Sequence, residues 1–239
     1  CSETKLRWTK LAKKSGTSIS KIVKAIIDEE PAVQDALERG YANISAVARM
    51  LKPSVEKTLK RKVTLEALIT SVKRVKFDYK PSREYLKIIA GSVISLRTDV
   101  AKVSLERTRR TLETTRRILA GLTGAFLQVL EGITAITLIM DDGVFDRVCS
   151  MFKREDILDE KRNLAAIIVQ SPHEIVETPG CVVAFYNPIS RAQINIEEAV
   201  SCYTETIILL RTEDAGRALS ILTGLITRAR ETLKGERRC

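Results

Sequence analysis

The sequence is short of the residues that most often do chemistry. One histidine, His173, serves all 239 residues, so histidine-based zinc sites and general-base machinery have little to draw on. Five cysteines stand at positions 1, 149, 181, 202 and 239 with no C-x-x-C pair. That scatter fits free thiols better than a metal site or a disulfide framework. A Cys181–His173 nucleophile and base pair would lack a third group to orient the imidazole. Gly121-Leu122-Thr123-Gly124 is not followed by the Lys-Ser/Thr of a phosphate loop and reads as a helix end. Asp141-Asp142 suits an acidic helix start better than a cation site. The expectation is a chain that is not an enzyme and holds no cofactor or metal.

Long apolar runs are also missing. The longest, residues 133–140, stops at Asp141-Asp142, well short of a membrane span. The first 16 residues carry charge but no apolar signal-peptide core. A cytoplasmic location without membrane attachment is expected.

What the chain does have is a lopsided charge. Residues 1–80 hold 18 Lys and Arg against 9 Asp and Glu, while residues 81–239 hold 22 against 21. A basic head on a neutral body points to a polyanion partner. After a basic lead-in over 1–16, the head reads as short helices. Ser18 or Ser20 caps the first, Pro31 opens the second, and Asn43 or Ser45 starts a third that closes at Pro53. A fourth begins at Ser54 and a fifth at Thr64. Such a bundle is of helix-turn-helix type, with Lys57, Lys60, Arg61, Lys62, Lys73, Arg74 and Lys76 as candidate phosphate contacts.

Residues 77–82 read as a linker. From 85 to 105 the pattern is extended, followed by a helix over 107–122, a hairpin about Glu131-Gly132 and another helix. Residues 136–152 match residues 206–222 at an offset of 70, which indicates an internal duplication. The expected domains are a helical head (1–80), a first α+β module (81–160) and a second (161–239). In the second, apolar residues 164–169 form a strand, a Pro-Gly turn opens a helix, and Ile194-Asn195-Ile196 begins the next strand. No apolar strand follows the last helix.

The second module resembles the ACT domain, a βαββαβ ligand-sensing unit. The residues that carry the likeness are Ile167 to Val169, Thr178-Pro179-Gly180, Ile194-Asn195-Ile196, Glu205-Thr206-Ile207-Ile208 and Asp214 to Leu219. The resemblance implies two ferredoxin-like modules of ACT type in an α+β chain, the second better preserved, the last strand being missing or supplied from elsewhere. It also implies a small ligand, usually an amino acid, at the interface of two ACT units. Carried over by position, the ligand residues are Gln170, Ser171, Thr178, Pro179, Gly180, Gln193, Asn195 and Ile196, with the loop 170–180 facing Asn195. ACT units usually pair, so a homodimer or higher homo-oligomer is expected. The expected function is an amino-acid-responsive regulator that binds DNA; the alternative is an allosteric subunit that docks on a metabolic enzyme.

Overall fold

Three side-chain oxygens begin helices in the first part of the chain. Ser18 accepts from the Lys21 N–H (3.3 Å) at the head of α1 (Ile19–Asp28), and Asn43 from the Ala46 N–H (3.0 Å) at the head of α3 (Ile44–Leu59). Thr64 does the same for Ala67 (3.3 Å) at α4 (Leu65–Lys73). Between α1 and α3, α2 (Pro31–Glu38) opens on a proline, whose fixed φ suits a first helical position. Ile22, Val23, Leu51, Val55, Leu68 and Val72 pack into the shared core. The expected break at Pro53 does not occur: α3 runs through it to Leu59. Leu51 and Val55, buried on either side of the proline, hold the helix together against the roughly 3 kcal/mol cost of an interior proline.

The computed structural model describes residues 18–38, 40–75, 83–122 and 124–236. The basic lead-in over 1–16, the linker over 77–82 and Lys76 lie outside them. The chain divides into two compact units, Cys1–Lys80 and Pro81–Cys239.

The second unit opens with α5 (Arg83–Gly91) where an extended segment was expected. Ile88 and Ile89 are buried with residues of α9 (Thr212–Glu236), and packing against that helix overrides the strand preference of the β-branched pair. Arg230 of α9 completes the joint by donating to Ala90 O (2.7 Å) and Ser92 O (3.1 Å), carbonyls left open at the helix end.

Next come β1 (Val93–Glu106), α6 (Arg109–Gly121), β2 (Leu127–Glu131), β3 (Ala135–Asp141) and α7 (Asp142–Cys149). The series is repeated by β4 (Ile157–Gln170), α8 (Cys181–Arg191), β5 (Glu198–Cys202), β6 (Glu205–Arg211) and α9. The step from Ala135 to Glu205 and from Asp142 to Thr212 is 70 residues, the offset of the sequence repeat. All six strands form one antiparallel sheet in the order β2-β3-β1-β4-β6-β5.

That order settles where the last strand of the second module comes from. β1, α6, β2, β3, α7 and β4 make a full βαββαβ module. β4, α8, β5, β6 and α9 make another whose final place is filled by β1, because β1 and β4 pair from Val93↔Gln170 to Leu105↔Ile157. Each of these 14-residue strands is therefore first in one module and last in the other. Their register shifts near the middle, where Asp99 and Asn163 occupy the same place in the two repeats, both in the left-handed region (φ 55° and 58°).

Alternation sorts the side chains. Ala101, Val103 and Leu105 face α6 and α7, while Ala165, Ile167 and Val169 face α5, α8 and α9. Val100, Ile139, Leu164 and Leu209 form a separate cluster on the far face. Lys102, also on that face, donates from Nζ to Glu197 O at the start of β5 (3.1 Å). Three strand spacings would separate β1 and β5 by about 14 Å in a flat sheet, so the sheet curls across this face.

Candidate functional site

The loop between β4 and α8 is tied down at its start. Gln170 ends β4 and is exposed. Ser171 is buried; its N–H donates to Thr204 O (3.0 Å), and its hydroxyl lies 3.0 Å from that of the buried Ser92. Ser171 thus braces the loop against α5. His173 Nδ1 is 3.0 Å from Tyr203 Oη in the β5–β6 turn. Beyond them the Thr178 N–H donates to Glu174 O (3.1 Å), and Thr178 is half-buried. Pro179 and Gly180 are exposed. Gly180 takes φ +87°, a conformation that costs glycine least, and leaves α8 with no side-chain cap. The uncapped N–H groups at this helix start attract a carboxylate.

The first module has no counterpart to this loop. Only Arg107 and Thr108 separate β1 from α6, and Thr108 with Thr111 forms a capping box over the helix start. Arg110 is held by Asp156 (2.5 and 3.1 Å) and Glu155 (3.1 Å).

Gln193, Asn195 and Ile196 sit at the other end of α8. Gln193 has φ +59°, Ile196 is half-buried, and Asn195 Nδ2 donates to Glu197 Oε1 (3.2 Å). Residues 194–196 are not a strand: Ile194 turns into the core beneath α8, and β5 begins only at Glu198. An 11-residue helix is about 16 Å long. Within one chain the loop 170–180 and Asn195 therefore flank opposite ends of α8.

Asn195 leads instead to a charged group that the sequence did not reveal. The Glu197 side chain is only 4 % exposed and accepts from Lys161 Nζ at 2.5 Å, with Arg211 Nε at 3.6 Å. The Lys161 hydrogen bond holds the Glu197 carboxyl below the usual carboxylate range, against the upward push of burial. These residues are 36 and 50 positions apart along the chain (Lys161 to Glu197 and Lys161 to Arg211). Only the β4–β6–β5 register brings them together, and no local spacing announces it.

Burial pushes the Cys181 thiol up, which is the wrong direction for a nucleophile. Among the described residues no group of three or more His, Cys, Asp or Glu is placed to hold a metal, and no helix is long and apolar enough to cross a membrane.

In the helical unit, Lys57, Lys60, Arg61 and Lys62 are exposed at the end of α3 and in the turn before α4. Lys73 and Arg74 are exposed at the far end of α4, a nine-residue helix spanning about 13 Å. Residues 18–38 and 40–75 hold ten Lys and Arg against seven Asp and Glu. Most of the positive excess of the first 80 residues lies outside the described segments.

The loop and the helix start it exposes belong to a recognised unit. Residues 160–224 match the family model described as ACT domain. This stretch runs from inside β4 into α9 and forms an ACT domain. No curated protein sequence matches the chain. Among solved structures, the chain is similar to aspartate kinase from Clostridium acetobutylicum, at 15 % identity and TM-score 0.47 over 56 % of this chain and 34 % of that one. It is also similar to the regulatory subunit of aspartate kinase from Thermus thermophilus (11 %, TM-score 0.47, 55 % and 95 %) and to aspartate kinase from Synechocystis (15 %, TM-score 0.48, 58 % and 27 %). The matched region spans about a third of the Clostridium enzyme.

Proposed function

We propose that the protein is an amino-acid-responsive regulatory protein with no reaction of its own. The observation that carries this reading is the ACT match over 160–224, on the one module whose strand–helix loop is long and whose helix start is uncapped. The ligand carboxylate meets the N–H groups at the start of α8, beside Thr178, Pro179 and Gly180. Because the segment 193–196 lies about 16 Å away along α8, the second half of the site comes from a partner copy, and the working form is a homodimer.

The helical unit carries the output. We take it to dock on a metabolic enzyme rather than on DNA, because the described candidate phosphate contacts fall in two groups at opposite ends of α4 and the net positive excess of the described residues is small. Two measurements test this. Thermal-shift screening of the full chain with the twenty amino acids should give a saturable rise for at least one. Binding to duplex DNA, measured across salt concentrations, should give a log–log slope near zero; a slope of several units would make DNA the partner.

A further inference from the structure

Away from that loop, a cleft of about 430 Å³ opens beside the middle of β4, with Lys161, Arg162, Asn163, Glu197, Arg211 and Glu213 in its lining. No residue of the loop 170–180 contributes, and Leu164 is about 20 Å along the strand from Gln170. The lining holds three cations and two carboxylates.

The three cations are not equally engaged. Lys161 is committed to Glu197 at 2.5 Å. Arg162 makes two hydrogen bonds of 2.7 Å to Asp142 and one of 3.0 Å to Asp146. Arg211 makes no short contact among the described residues: Nε is 3.6 Å from Glu197 and Nη1 is 3.5 Å from Glu213. Distances this long leave most of its donors unused.

The first repeat supplies an internal comparison. There Asp141 stands where the second repeat has Arg211, and Arg97 where it has Lys161. Phe126 precedes β2 as Glu197 precedes β5. Arg97 binds Asp141 at 2.6 and 2.8 Å and lies 5.1 Å over the Phe126 ring, while the Phe126 N–H donates to Asp141 (3.0 Å). Charge is matched and the aromatic ring fills the space. In the second repeat the aromatic is replaced by a carboxylate, the aspartate by an arginine and Gly143 by Glu213, so the place is open and Arg211 meets its two carboxylates only at the long distances given above.

We infer that this cleft is a binding site for a small organic anion, whose carboxylate takes the Arg211 guanidinium bidentately. Lys161 and Arg162 line the mouth, each held by its own carboxylate partners. Glu197, fixed by Lys161 and Asn195, sets the side from which Arg211 is approached. A phosphate group presents the same chemistry to an arginine fork. The site is independent of the amino-acid reading and can hold whether or not the α8 loop takes a ligand.

The test is calorimetric titration of the full chain with succinate and, separately, with inorganic phosphate, against chloride at equal ionic strength. Saturable binding is expected, roughly tenfold or more weaker in Arg211→Ala, which removes a charge-assisted pair. Arg211→Lys keeps the charge but loses the fork, and is expected to fall between the two. Binding of phosphate alone assigns the site to a phosphate group. Absence of saturable binding to either anion overturns the inference, as does affinity unchanged in both variants. Circular dichroism checks that Arg211→Ala is folded; if it is not, Arg211→Lys carries the test alone.

Discussion

Arg162 on β4 grips Asp142 at the head of α7 through two hydrogen bonds of 2.7 Å, and its guanidinium lies 5.2 Å over the Phe145 ring. A residue inside the ACT match thus holds the second helix of the other module. The pair is partly exposed, so its worth is that of a good bidentate surface contact, discounted by solvent screening. Arg162→Ala should lower the melting temperature by about 2–4 °C for a chain of this size. Arg162→Lys should recover only part, since lysine has no planar fork. Differential scanning calorimetry of the three proteins checks both expectations.

Acid should weaken the middle of the sheet. Asp141, Asp142 and Glu197 are each held below their ordinary values, first by a side-chain hydrogen bond from Arg97, Arg162 and Lys161 respectively. A carboxyl whose folded pKa is depressed stabilises the fold above its unfolded value and loses that contribution as pH falls through the folded one. The melting temperature should be level between about pH 7 and 5 and fall below that. Glu197→Gln should be less stable at neutral pH and lose less on acidification. Thermal melts across pH with both proteins measure the difference.

The shared strands make the second module dependent on the first. A fragment covering 157–236 lacks β1, which fills the last place in its sheet and pairs along all of β4. Such a fragment exposes a long apolar edge and should aggregate or stay unfolded. Adding back residues 83–106 as part of the same chain should restore a folded product, read by amide exchange protection of the segment 164–169.

A tight contact at the base of the loop 170–180 can be tested with one methyl group. A Cβ on Gly91 would lie 2.8 Å from Pro172 Cγ, closer than packing allows. Gly91→Ala gains about 1 kcal/mol in helix preference but meets an overpacking cost of about 1–3 kcal/mol. The expected result is a net loss of stability together with changed chemical shifts at Ser171 and His173, followed by NMR.

Much of this architecture is legible in the residues because it is written in local periodicity. The repeat at an offset of 70 placed β3 with α7 against β6 with α9, and Ala215, Ala218 and Leu222 fell on the buried face of α9 as their spacing required. Where local pattern and tertiary packing disagreed, packing won. Ile88 and Ile89 look like strand residues but lie under α9, and Pro53 looks like a helix end but sits between buried Leu51 and Val55. Of the candidate site, the α8 start was readable from Thr178-Pro179-Gly180. The group of Lys161, Glu197 and Arg211 was not, because it depends on strand register. The separation of the loop 170–180 from Asn195 follows from the direction of α8, which periodicity alone cannot give.

The most direct measurement is calorimetric titration of the full chain with each of the twenty amino acids, repeated on Gly180→Val. A β-branched residue is strained at φ +87° and crowds the α8 N–H groups. An amino-acid site at the start of α8 requires saturable binding of at least one amino acid by the native protein and loss of that binding in the variant, with the fold retained by circular dichroism. No binding at millimolar ligand, or binding that Gly180→Val leaves intact, would contradict it.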